Sequence, residues 1–216
     1  HVNWDGKRFK NEDVNTQSKS VTKALQTQKD AWTIYDAHGL EQVKAQMDAG
    51  LGGGLQWGQL TQPVGGEYNL EAQQIVLEGE VEKGQTLKAD SLEELAQKMG
   101  VPAENLKATV DRYNELFDNQ EDVDFGKEAY RLSELRTPPF FGATLGGTLL
   151  TTIDGVRINA DCQALNTDFE PIEGLYCAGD CSGSLFSGNY PDQMHGVACG
   201  RTMTEALHVV KKLANA

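Results

Sequence analysis

The sequence predicts a mixed α+β and α/β chain in two parts, with three observations behind it. Ser91-Leu-Glu-Glu94 is a capping box, and the apolar residues after it recur at helical spacing. At Pro138 the composition shifts toward Gly, Thr and β-branched residues, which favour strands and turns. Finally, Gly174-Leu-Tyr-Cys-Ala-Gly-Asp180 reads as a buried strand that stops at Ala178-Gly179, ahead of a small-residue loop and a last helix. The boundary falls at 137, giving parts 1–137 and 138–216.

Each element has its own signal. Val2-Asn-Trp4 and Arg8-Phe9 predict a short hairpin around Asp5-Gly6. A polar stretch from Val14 to Thr27 predicts a helix. Trp32 to Asp36, β-branched and aromatic, predicts a strand. Leu40 to Met47 predicts an amphipathic helix ending at Gly50. Residues 51–80 are rich in Gly and Gln and give no clear element. Within them, Leu51-Gly-Gly-Gly-Leu55 reads as a flexible turn, because no apolar strand precedes it and its spacing is not that of a phosphate cradle. The capped helix runs to Met99 and stops at Gly100. Pro102 then takes a first-turn position, where its missing N–H costs nothing. Leu106, Val110, Tyr113 and Phe117 share one face of the next helix. Asn119 to Lys127 is an acidic connector. Gly146 to Ile153 and Val156 to Ile158 predict strands around a turn at Asp154-Gly155. Leu165 to Asp168 predicts a hairpin, Gly174 to Ala178 the buried strand, and Gly196 to Leu213 the final helix.

Composition excludes some functions. A net charge of -13 argues against a nucleic-acid partner, since neutralising phosphates needs clustered Lys and Arg. No apolar run approaches the length of a membrane span. No signal segment is visible, and the compartment stays open between cytoplasm and export. Cys162, Cys177, Cys181 and Cys199 match no zinc spacing, so no metal is expected. They read as small buried hydrophobes, with a redox couple at Cys177 and Cys181 as the alternative.

The segment around Asp180 carries the chemistry. A strand end lets a carboxylate reach a sugar hydroxyl, and glycine lets the backbone come close. A helix start at Gly196 offers unpaired N–H groups. This layout suits the edge of a nucleotide cofactor.

These residues resemble the C-terminal signature of the fumarate reductase/succinate dehydrogenase flavoprotein family. Gly6-Lys-Arg-Phe9 with Asn11-Glu12 is similar to its GKRFxNE element. Lys88 to Ala96 and Thr109 to Glu115 are similar to its paired helices, and Asp124-Phe-Gly-Lys127 with Pro138-Pro-Phe-Phe141 to its return to the flavin domain. The resemblance implies that 1–137 is a substrate-capping domain and 138–216 the C-terminal part of an FAD-binding domain. The dinucleotide fingerprint of the family precedes the cap, and no G-x-G-x-x-G opens a βαβ unit here. The chain is therefore expected to be a C-terminal portion that needs a dinucleotide-binding segment as its partner, and to bind FAD weakly or not at all alone.

The resemblance also implies site residues. Ala178, Gly179, Asp180, Gly196 and Val197 would contact FAD. Tyr190 would polarise a small-molecule substrate's carbonyl as a neutral donor, and His195 would be a second donor. The charged contacts of fumarate reductases are replaced: Thr16 stands at the proton-donating arginine, Tyr190 follows Asn189 where arginine would, and Thr151 to Gly155 covers the histidine position. Tyr190-Pro191 is instead similar to the 3-ketosteroid dehydrogenase branch. The expected function is reduction or desaturation of a C–C bond beside a carbonyl. A fumarate or enoate reductase, and a capping module without cofactor, stand as alternatives. Arg8 with Glu12 is expected as a structural pair, Asp154 as a turn former, and His38 and His208 as surface groups.

Overall fold

The computed structural model describes residues 1–12, 23–49, 67–146, 154–183, 185–186, 194 and 196–215. The chain divides into two compact units, His1–Gly147 and Thr148–Ala216.

Unit 1 is built on an antiparallel four-stranded sheet. Its strands are β1 (Val2–Asn3), β2 (Ala31–Tyr35), β3 (Thr86–Ala89) and β4 (Phe140–Thr144), in the order β1-β2-β4-β3. β4 is central: Ile34 and Leu87 both pair with Gly142. The strand after Pro138 therefore belongs to unit 1, which runs through Gly147. Val2 pairs with Trp32, so the expected hairpin of residues 2–9 is instead a turn, closed by Gly6 N–H to the Asn3 carbonyl at 2.9 Å. The second strand is offered by β2 and outcompetes the polar residues Lys7 and Arg8.

Two helices cover the sheet. In α3 (Leu92–Met99) the Ser91 hydroxyl accepts from Glu94 N–H at 3.1 Å, and the Glu94 carboxylate accepts from Asp90 N–H at 3.0 Å. The reciprocal cap forms, with the glutamate reaching one residue further back than expected. Gly100, left-handed at φ 73°, ends the helix. Pro102 is the cap residue of α4 (Ala103–Asn119) rather than its first helical residue. Leu95, Ala96, Leu106, Val110 and Phe140 form the core. Leu116 is also buried, whereas Tyr113 and Phe117 on the predicted face are half-buried.

Two helices complete the unit. α1 (Gly39–Asp48) lies where expected. α2 (Leu70–Glu82) falls in the Gln-rich stretch that gave no element. Its start is an Asn69 cap, whose side chain accepts from Ala72 N–H, and its Ile75 and Val76 are exposed, so apolar periodicity marks no buried face.

Unit 2 contains a hairpin of β5 (Gln163–Leu165) and β6 (Pro171–Tyr176), then α5 (Val197–Ala214). The hairpin turn is closed by Asn166 N–H to the Glu170 carbonyl at 2.9 Å. The expected buried strand at 174–178 is corrected: the strand ends at Tyr176 and its residues through Leu175 are exposed. β5 in contrast buries Ala164. Val156 and Ile158 make single bridges, to Ser182 and Ala164, rather than a strand. Of the cysteines only Cys162 is buried; Cys177 is half-buried, and Cys181 and Cys199 are exposed. The predicted helix over 14–27 lies largely outside the described residues, as do Leu51 to Leu55, Gly147 to Ile153, Thr16 and Asn189.

Candidate functional site

The turn after β6 is the centre of the candidate site. Cys177 N–H still bonds the Cys162 carbonyl at 3.0 Å, so the chain leaves the hairpin extended. Ala178 keeps that conformation, and Gly179 turns left-handed at φ 75° into a single 3-10 turn, Gly179–Cys181. A Cβ on Gly179 would also sit 3.0 Å from Thr202 Cγ2. Conformation and space both select glycine there.

A second segment crosses the turn. Val156 N–H donates to the Cys181 carbonyl at 3.0 Å, and Gly183 N–H to the Val156 carbonyl at 2.8 Å. Any Cβ on Gly155 would overlap the Cys181 carbonyl, and one on Gly183 the Gly155 carbonyl. The backbones approach so closely that only glycines fit.

The third component is α5. Its cap residue Gly196 has no capping side chain, and its first turn carries no acidic residue. One turn further on, Arg201 and Glu205 face the 3-10 turn, with Arg201 Nε 3.0 Å from Glu205 Oε1. Arg201 Nη2 donates to the Gly179 carbonyl at 2.7 Å and to both the Ser182 carbonyl and hydroxyl oxygen. Glu205 Oε2 accepts from Gly179 N–H at 2.7 Å and the Ser182 hydroxyl at 2.8 Å. Burial pushes the Glu205 carboxyl up, but the Gly179 N–H, the Ser182 hydroxyl and Arg201 together hold it below the usual carboxylate range.

The residues expected to contact a cofactor thus fall at two places in one unit. Ala178, Gly179 and Asp180 form the turn, with Gly179 buried and the Asp180 residue exposed; Gly196 and Val197 form the helix start. The turn and α5 pack on each other. Tyr190 and His195 lie outside the described residues. Sequence reasoning missed Arg201, Glu205, Gly155 and Gly183. A charged pair at i,i+4 spacing beside Val197, Ala198 and Ala206 was the available signal for the first two.

FAD fits this donor set. An exposed acidic residue suits sugar or ribityl hydroxyls, a crossing without side chains permits close backbone approach, and a helix start suits an electron-rich edge. Among the described residues no cluster of His, Cys, Asp or Glu could hold a metal ion.

Unit 1 holds a separate polar cluster. Arg8 and Glu12 pair as expected, at 2.7 Å between Nη2 and Oε2, and Asp122 adds a second carboxylate at 2.8 Å. The guanidinium lies 4.8 Å from the Phe125 ring centre and 5.0 Å from that of Tyr113. With two carboxylates and two rings on it, Arg8 holds the acidic connector to the chain start. A cavity of about 160 Å³ adjoins it, lined in part by Tyr35, Asp36 and Lys127. His208 is exposed and 3.6 Å from Asp161; His38 and Asp154 are exposed.

Comparison with known proteins points to a flavoprotein family. The sequence profile described as "FAD binding domain" matches residues 1–196. The chain is 28% identical over 200 residues to a vinyl phenol reductase of Lactiplantibacillus plantarum, covering 92% of this chain and 39% of that protein. It is 35% identical over 113 residues to an NADH:acrylate oxidoreductase of Vibrio harveyi, covering 52% of this chain and 11% of that protein. The chain therefore spans well under half the length of these curated relatives. Among solved structures, the 3-ketosteroid delta1-dehydrogenase of Sterolibacterium denitrificans aligns with a TM-score of 0.64 at 22% identity, covering 99% of this chain and 38% of that one. This last likeness is one of fold. No helix among the described residues is long and apolar enough to cross a membrane.

Proposed function

Because the chain belongs to the FAD binding domain family, of fumarate reductase/succinate dehydrogenase flavoprotein type, we propose that it is part of an FAD-dependent oxidoreductase that reduces or desaturates a C–C bond beside a carbonyl. In this reading 1–137 caps the substrate and 138–216 supplies one wall of the flavin pocket. A dinucleotide-binding segment completes the pocket and is the chain's partner. The observation that carries the reading is the family match over 1–196 together with a turn, glycine by necessity at 179, that leaves Asp180 exposed in the unit containing the start of α5.

When bound, FAD supplies the hydride acceptor or donor. The chain's own residues bind and polarise. Asp180 accepts hydrogen bonds from sugar or ribityl hydroxyls, with Ala178 and Gly179 beside it. Gly196 and Val197 bring the start of α5 to the isoalloxazine edge. Tyr190 donates its phenolic proton to the substrate carbonyl, where charge builds up in the transition state, and His195 is the second donor. A neutral phenol suits a neutral ketone. The threonine and tyrosine at positions 16 and 190, where fumarate reductases carry arginine, disfavour a dicarboxylate, whose buried charge would go unmatched. Enoate reduction is the second reading, favoured by the identity to the acrylate oxidoreductase.

Two substitutions in the complete polypeptide test the roles separately. Asp180→Asn is expected to raise the Kd for FAD about tenfold, the scale of one hydrogen bond to a charged group. Tyr190→Phe is expected to leave that Kd alone and lower kcat on a ketone-activated substrate about 100-fold. Unchanged FAD affinity in the first variant removes Asp180 from the pocket. Unchanged turnover of ketones and enoates alike in the second removes Tyr190 from catalysis.

A further inference from the structure

The Arg201–Glu205 pair is an unusual way to fill the inside of a small unit. Arg201 is 8% exposed, and its guanidinium lies 5.2 Å from the ring centre of buried Phe186. Burying an ion pair seldom adds stability over well-packed apolar side chains, because desolvation offsets the attraction. What such a pair does supply is direction, since a guanidinium and a carboxylate each bind only at fixed angles.

Its bonds are concentrated on one target. Gly179 is held by its carbonyl, through Arg201 at 2.7 Å, and by its N–H, through Glu205 at 2.7 Å. Ser182 is held by its carbonyl, through Arg201, and by its hydroxyl, through Glu205 at 2.8 Å. The two anchored residues bracket Asp180 and Cys181. Gly179 has the greatest backbone freedom of any residue type, so the turn needs an outside constraint to keep one conformation.

We propose that Arg201, oriented by Glu205, is a positioning residue for FAD: it fixes the Gly179–Ser182 turn and so aims the Asp180 carboxylate at the cofactor's hydroxyls. The inference rests on the reading of Asp180 as a flavin contact. Arg201 touches no cofactor itself and acts through the backbone of the turn. Glu205 neutralises it, so the anionic charge of Asp180 is the one the turn presents.

The test is a double-substitution cycle in the complete polypeptide. FAD is titrated into apoprotein by fluorescence quenching, and the apoprotein Tm is measured alongside. Arg201→Met is expected to raise the FAD Kd about tenfold, as is Asp180→Asn, and the double variant to lose no more than the weaker-binding single one, as for groups acting through one contact. Arg201→Lys restores only part of the loss, because an ammonium lacks the planar fork. Losses that multiply in the double variant overturn the proposal. So does a lowered Tm with unchanged Kd, which marks a purely structural pair. Should Asp180→Asn alone bind FAD normally, the flavin-contact reading fails first, whatever Arg201→Met does. If Arg201→Met does not fold, Arg201→Lys and Glu205→Gln, which keep hydrogen-bonding head groups, carry the same cycle with Asp180→Asn.

Discussion

In unit 1, Leu95, Leu106 and Leu116 are sealed from solvent between helices and sheet, and fully buried Asp36 accepts from the N–H groups of His38, Arg136 and Thr137. Among the described residues of unit 2 the largest fully buried side chain is that of Ser182, while Met203, Leu207, Val210 and Leu213 on α5 are each more than half exposed. One unit is held by apolar burial. The other buries few apolar side chains, Cys162, Ala164 and Phe186 among them, and adds a polar clamp, while the apolar residues of α5 named above face outward. The difference teaches where each unit's information lies: packing specifies unit 1, whereas hydrogen-bond direction and glycine geometry specify the turn in unit 2.

The sharpest way to break that comparison is to separate the units. Residues 1–147 alone are expected to melt cooperatively, with protected amides in β4, α3 and α4. Residues 148–216 alone are expected to show no cooperative transition, since so small a unit with an open apolar face buries too little to offset chain entropy. Cooperative melting of the second piece would mean that the clamp suffices without a core. The next largest effect compares two leucines. Leu106→Ala should destabilise the chain by about 3–5 kcal/mol, as for a sealed core position, and Leu207→Ala, 54% exposed, by under about 0.5 kcal/mol. Equal losses, measured by denaturant unfolding, would show that α5 is as deeply packed as α4.

The same division explains what could be read in the sequence. The capping box, the Gly100 stop and the Leu106–Val110 face were legible because helix signals are local and α3 and α4 meet each other soon after. β1 was misassigned because its partner, Ala31–Trp32, lies far along the chain, and a polar turn at Asp5-Gly6 looks like a hairpin wherever the second strand is. α2 was invisible because Ile75 and Val76 face solvent and leave no periodic stripe. In the candidate site, Asp180 and Gly179 were legible as a strand end. Arg201 and Glu205 were not, because a charged i,i+4 pair on a helix usually marks a solvated face, and nothing local shows that this one is turned inward against a glycine turn. Gly155 and Gly183 matter through a crossing of two distant segments, which no single-segment pattern records.

Acid gives the smallest and most discriminating effect. In unit 1 burial raises the Glu12 carboxyl, but Arg8 and Lys127 hold it below the usual carboxylate range; Asp122 is held low against burial by Arg8 and the N–H groups of Lys127 and Phe125. In unit 2 Glu205 is held low in the same sense. A carboxyl whose folded value is depressed contributes stability above its unfolded value and loses it as pH falls toward the folded one. Both units should therefore weaken as pH falls below about 4.3, the value of an ordinary glutamate. The consequences differ. Unit 1 loses the ion pairs of Glu12 and Asp122 with Arg8 and keeps its leucine core. Unit 2 loses the anion that orients Arg201, and Gly179 is released. Amide protection at Gly179 and Ser182, relative to the intrinsic exchange rate at each pH, should fall on acidification before that at Leu95 and Leu106 does, and Glu205→Gln should abolish the pH dependence of protection at the turn alone. Simultaneous loss of protection at all four amides would show that the two units are a single cooperative body, and that the contrast between core and clamp has no energetic meaning.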